Sequence, residues 1–109
     1  MIDYIQLDEK RPIKFGMNAL RLWTKDMDIT LNGINDFIRD PDMDGIIKLL
    51  YYGLRDGARC EGKEYSLTLE QTCDLADDMD KLTKAFNIFL DQYSDGSESE
   101  PKKKKKGAS

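Results

Sequence analysis

The sequence predicts a mainly α-helical domain: five helices around one buried central helix, with an N-terminal β-hairpin and a disordered C-terminal tail. Three observations predict it. The stretch Asp40–Gly57 is apolar nearly all round, the pattern of a helix covered by several neighbours. Four other segments place apolar residues at steps of three and four. The first fifteen residues instead alternate apolar and polar across a charged turn. The chain of 109 residues is long enough for one modest core, assigned to residues 1–93, followed by a tail over 94–109.

The hairpin is expected to pair Tyr4-Ile5-Gln6-Leu7 with Pro12-Ile13-Lys14-Phe15 across Asp8–Arg11. Ile5, Leu7, Ile13 and Phe15 then share one face. A lone hairpin is marginal in water, so that face should rest on the helices. Gly16 opens a first helix through about Lys25, with Met17, Leu20 and Trp23 or Thr24 in register and Ala19 and Leu22 beside them; Asp26 and Asp28 break the pattern. A second helix over Thr30–Arg39 carries Leu31, Ile34, Phe37 and Ile38, with Thr30 or Asp28 as cap. Asn32-Gly33 would signal a hairpin between strands, but here it interrupts a helical stripe.

The central helix has Asp40 as expected cap, Pro41 as first residue, and Asp42 and Asp44 at the positive end of its dipole. Gly57 is the expected stop. Gly53 costs roughly 1 kcal/mol relative to Ala, which implies close approach by another helix. Ala58–Ser66 reads as a polar loop with a brief extended piece at Lys63–Leu67. Thr68-Leu69-Glu70-Gln71 is a capping box. Its helix carries Leu69, Thr72, Cys73 and Ala76 on one face and ends near Asp78. Asp78 or Asp80 caps the last helix, whose stripe is Leu82, Ala85, Phe86, Phe89, Leu90 and Tyr93. Ser94–Pro101, the run Lys102–Lys106 and the closing Gly-Ala-Ser have the composition of a flexible tail.

Composition narrows the function. Residues 1–94 hold twelve Lys/Arg and eighteen Asp/Glu, a net of −6, so the body repels phosphate backbones and nucleic acid is a poor partner. No apolar run approaches the ~20 residues of a membrane span. The N-terminus lacks a basic-then-apolar signal, which points to a cytoplasm and to reduced thiols at Cys60 and Cys73. The chain has no His, and no acid/base constellation is visible, so no enzyme, cofactor or metal is expected. Asp40–Ile47 matches the front of an EF-hand loop. Its twelfth place, however, is Tyr51 instead of a bidentate acid, and its ninth is Lys48. Three acids at a helix N-terminus explain the same residues. Most aromatics are expected in the core. Trp23, Tyr51, Tyr52, Phe89 and Tyr93 are the candidates for gripping another protein's helix or strand.

Three blocks carry a resemblance: Arg11-Pro12-Ile13-Lys14-Phe15-Gly16 leading into Ala19-Leu20-Arg21, then Leu49-Leu50-Tyr51-Tyr52-Gly53-Leu54, then Ser66-Leu67-Thr68-Leu69-Glu70-Gln71. In this order and spacing, over residues 3–93, the chain resembles the tail assembly chaperones of long-tailed bacteriophages. The Ala58–Glu64 loop is long for that family. The resemblance implies a small, acidic, helical protein that binds the tape measure protein, keeps it soluble and helps recruit tail tube protein. Such chaperones are absent from the finished particle. The family often makes a longer product by ribosomal slippage near the end of the short frame, where Lys102–Lys106 lies here. A homo-oligomer is compatible with all of this. The competing reading is a small helical adaptor or transcriptional regulator, with the last two helices as a helix-turn-helix. Asp74, Asp77, Asp78 and Asp80 would then face DNA poorly.

Overall fold

The computed structural model describes residues 2–97. An antiparallel hairpin, β1 (Asp3–Gln6) and β2 (Lys10–Ile13), is followed by α1 (Met17–Met27), α2 (Leu31–Arg39), α3 (Met43–Cys60), α4 (Leu69–Leu75) and α5 (Met79–Ser97). The mainly helical fold with an N-terminal hairpin is the one the sequence predicts. Among the described residues no helix is long and apolar enough to cross a membrane.

In the hairpin Asp3 stands opposite Ile13 and Ile5 opposite Arg11. Its turn is tighter than expected, because Lys10 and Arg11 belong to β2 and Arg11 folds back onto Asp8 at 2.7 and 2.8 Å. Ile5, Leu7, Ile13 and Phe15 are buried together, as the alternation requires. They face α3, whose Leu49, Leu50 and Leu54 are sealed from solvent. The aromatic centre is Trp23, with Phe37 edge-on at 4.9 Å and Phe89 at 6.1 Å. The Trp23 indole N–H donates to the Gly45 carbonyl at 3.1 Å, satisfying a buried donor across α1 and α3. Gln92 fastens α5 to the hairpin: its Oε1 accepts from the Phe15 N–H at 2.7 Å, and its Nε2 donates to Asp3 Oδ2 at 3.0 Å.

Several boundaries differ from expectation. The N-cap of α3 is Asp42, which accepts from the Gly45 N–H at 3.1 Å, so Pro41 lies before the cap. Asp40 is already engaged in ending α2, and a residue preceding proline is disfavoured in helical geometry. α3 passes through Gly57 without stopping. A Cβ there would lie 2.5 Å from the Pro12 carbonyl oxygen and 2.7 Å from the Ile13 nitrogen. Gly53 likewise admits the Phe15 ring, and its carbonyl accepts from the Lys14 N–H at 3.0 Å. At Gly53 and Gly57 the close neighbour of α3 is therefore the hairpin and the residues after it, not another helix. α1 continues past Asp26 to Met27, with Asp28 in the left-handed region (φ 58°) closing it.

The capping box is formed: Thr68 Oγ1 accepts from the Gln71 N–H at 3.1 Å, and Gln71 Oε1 accepts from the Thr68 N–H at 2.9 Å. α4 is shorter than expected. Thr72 and Ala76 turn inward while Cys73 is exposed. The buried Thr72 hydroxyl is satisfied by the Thr68 carbonyl and by Tyr65 at 2.6 Å. Lys63–Leu67 is not a strand. Asp78 caps α5 by accepting from the Lys81 N–H at 2.8 Å. That helix runs past Tyr93, so residues 94–97, expected in the tail, are helical. The expected tail beyond Ser97, including Lys102–Lys106, lies outside the described residues. Cys60 and Cys73 are both free.

Candidate functional site

Of the five aromatics singled out as partner-binding, the fold withdraws two. Trp23 and Phe89 are 0% exposed. Their size and helical register put them at the centre, where three helices supply the surrounding wall, so neither reaches a partner directly. Tyr51 and Tyr52 are half-buried on α3, edge-to-face at 5.1 Å, with the Arg55 guanidinium over both rings. The Tyr52 hydroxyl donates to Asp26 Oδ2 at 2.8 Å. Tyr93 stacks on Phe89 at 5.4 Å and is half-buried.

Tyr93 belongs to a surface groove of about 540 Å³ between α1, the start of α2 and the end of α5. Phe15, Met17, Leu20, Leu31, Ile34 and Tyr93 supply its apolar walls. Two of these are unusually bare: Met17 is 80% exposed and Leu31 77%. Both were expected to pack inward on their helical stripes. Each is the first residue of its helix, so the stripe continues beyond the point where the core has neighbours for it. Singly exposed apolar residues mean little, but here two of them flank one concave apolar surface. Gly16 precedes α1 without a side-chain cap, which leaves the groove edge low. An amphipathic helix laid in such a groove would bury Met17 and Leu31 against its own apolar stripe. Met is well suited to this, being flexible and polarizable enough to follow an irregular partner.

A polar seam ties α1 to α3. Asp26 accepts from Tyr52 and pairs with Lys48 at 3.3 Å; Lys48 also reaches Asp44 at 3.3 Å. The Tyr52 hydrogen bond, with Lys48 alongside, holds the Asp26 carboxyl below its usual range. Burial, then the Asp26 hydrogen bond, pushes the Tyr52 phenol up to about 12.

The acids that imitate an EF-hand have helix-terminal partners. Asp42 caps Gly45, Asp44 meets Lys48, and the Asp40 N–H closes α2 on Asp36. Among the described residues no group of three or more His, Cys, Asp or Glu stands close enough to hold a metal. Sequence reasoning missed Met17 and Leu31 as surface residues, and also Arg21 and Arg55. The one usable signal was position: each of those apolar residues opens its helix. Comparisons of the chain with protein-family models, with curated proteins and with solved structures give no match.

Proposed function

We propose that this protein is a non-enzymatic tail assembly chaperone of a long-tailed bacteriophage, working in the bacterial cytoplasm. It holds segments of the tape measure protein during tail building and helps deliver tail tube protein to it. The observation that carries the reading is the groove flanked by Met17 and Leu31, an apolar, open surface on an otherwise acidic molecule. The three sequence blocks that resemble this chaperone family supply the identity of the partner. A reversible binder present in excess masks sticky surface by mass action and blocks wrong association.

Co-expression with the tape measure protein from the same genome tests this. The fraction of that protein left in the supernatant should rise with the wild-type chain and fall back with the double variant Met17→Asp, Leu31→Asp. A partner that stays equally insoluble with and without the chain removes the reading.

A further inference from the structure

α1 has a second flank. Between it, the C-terminal half of α3 and the segment Lys63–Tyr65 lies a cleft of about 430 Å³. Arg21, Arg55, Arg59 and Lys63 all line it, a local reversal of sign in a chain of net charge −4. The arginines of this protein divide sharply. Arg11 pairs with Asp8 and Glu9, Arg39 with Asp36, and Arg59 with Asp56. Arg21 and Arg55 have no carboxylate partner among the described residues, and both open onto this cleft.

Arg55 lies 5.6 Å from the Tyr51 ring centroid and 5.9 Å from that of Tyr52. That contact restrains the side chain while using none of its N–H donors. Arg59 is held differently. Asp56, buried at the cleft floor, accepts its Nε and Nη2 on Oδ1 at 3.1 and 2.6 Å. Its Nη2 also reaches Cys60 Sγ at 3.9 Å, which leaves the Nη1 donors available on a side chain that is itself 59% exposed. Asp56 is thus a positioning residue for Arg59, and the cleft presents the unpaired guanidinium groups of Arg21 and Arg55, whose donor geometry matches a carboxylate.

We propose that this cleft binds a carboxylate-bearing segment of a polypeptide partner, gripped by Arg21 and Arg55 with Arg59 in support. A polyphosphate is the poorer occupant. Arg59 is already paired with Asp56, and Glu64 lines the same cleft, so the positive charge left by Arg21 and Arg55 suits one or two carboxylates, whereas the negative body repels a long polyanion. The inference does not rest on the tape measure protein, and the cleft shares with the groove on the other flank of α1 only Arg21, while Arg55 and Arg59 belong to the cleft alone.

Titration of the isotope-labelled full chain with acetyl-Glu-Glu-Glu-amide, followed by nitrogen–proton correlation spectra, tests it. Resonances of Arg21, Arg55, Arg59 and Asn18 should move together and saturate. The Gln analogue of the peptide should bind about tenfold or more weakly, because charge-assisted hydrogen bonds are lost. The double variant Arg21→Gln, Arg55→Gln should abolish the saturable shift while keeping a dispersed, folded spectrum. Equal shifts with the Gln peptide would overturn the proposal, and so would shifts scattered over all surface lysines. Tighter binding of inorganic phosphate or of a single-stranded oligonucleotide at the same resonances would overturn the commitment to a carboxylate. Loss of chaperone activity in the Met17 and Leu31 variant leaves this titration unchanged, so the two readings fail separately.

Discussion

α3 and α1 lie side by side and differ in what they leave unsatisfied. On α3, leucines are sealed, Gly57 touches the backbone of β2, Gly53 admits the Phe15 ring, and Tyr52 and Lys48 find Asp26. On α1 only Ala19 and Trp23 are fully buried. Met17 stands bare on one flank and Arg21 unpaired at the crest between two concave surfaces. Even on α3 the exceptions among the described residues, Arg55 without a carboxylate and Asp56 Oδ2 without a hydrogen-bond partner, belong to residues that line the cleft beside α1. Unmatched groups are where another molecule gains free energy by arriving.

The sharpest way to break this contrast is to place the same charge on a sealed leucine of α3 and on Leu31 of α2, which lines the groove beside α1. Leu50 is 0% exposed, so Leu50→Asp buries an unpaired carboxylate and should cost at least ~3 kcal/mol. Against a total of ~5–15 kcal/mol that is enough to unfold the domain. Leu31→Asp should change stability by no more than ~0.5 kcal/mol, since it alters an exposed position. Thermal melts followed by circular dichroism read both. Equal destabilisation would mean that Leu31 is part of the core and the groove is not free. A soluble Leu50→Asp variant with unchanged melting would mean that α3 is not the buried element.

Next in size is Gly57→Ala. On an exposed helix it would add up to ~1 kcal/mol of stability. Here the new Cβ meets backbone atoms of Pro12 and Ile13 at 2.5–2.7 Å, and backbone does not yield as a side-chain tip does. The expected outcome is a net loss of ~1–3 kcal/mol, read as a lower denaturant midpoint at unchanged slope. A gain would show that β2 does not sit on α3 as closely as described.

The same pair of helices shows what a sequence discloses. The apolar density of Ile46–Leu54 announces a buried helix because burial of that many side chains has no other solution. The Thr68/Gln71 box is equally legible, being a contact between residues three apart. Gly57 was misread because a glycine that stops a helix and a glycine that admits a strand are the same letter; only Pro12, forty-five positions away, distinguishes them. Asp42 displaced Asp40 as cap because α2 ends immediately before it, a competition between elements. The surface pairings were least visible. Nothing within a few residues of Arg21 or Arg55 says that a carboxylate is missing, because ion pairing depends on which helices become neighbours. Gln92 is a similar case: its partners, Asp3 and Phe15, lie almost a full chain away.

The smallest effect concerns the seam between the two helices, and it appears only with pH. Tyr52 has an ordinary value of 10.0 and is held at about 12 in the fold, mainly by burial and then by its bond to Asp26. The folded state therefore keeps the phenolic proton more tightly than the unfolded state does. Its contribution to stability is complete below pH 10 and is lost as pH rises from 10 towards about 12. Asp26 behaves oppositely: its carboxyl lies below its ordinary 3.8, so its contribution holds above that pH and is lost as pH falls through the depressed value. Tyr52→Phe should remove the alkaline loss specific to this residue and weaken the acid one, since the Tyr52 bond is the largest cause of the Asp26 shift. Melts of wild type and variant at pH 7, 10 and 12 read the first change, and melts between pH 5 and 2 the second. Parallel profiles at both ends would mean that Tyr52 and Asp26 do not meet, and α1 would then lack the polar seam that ties it to α3.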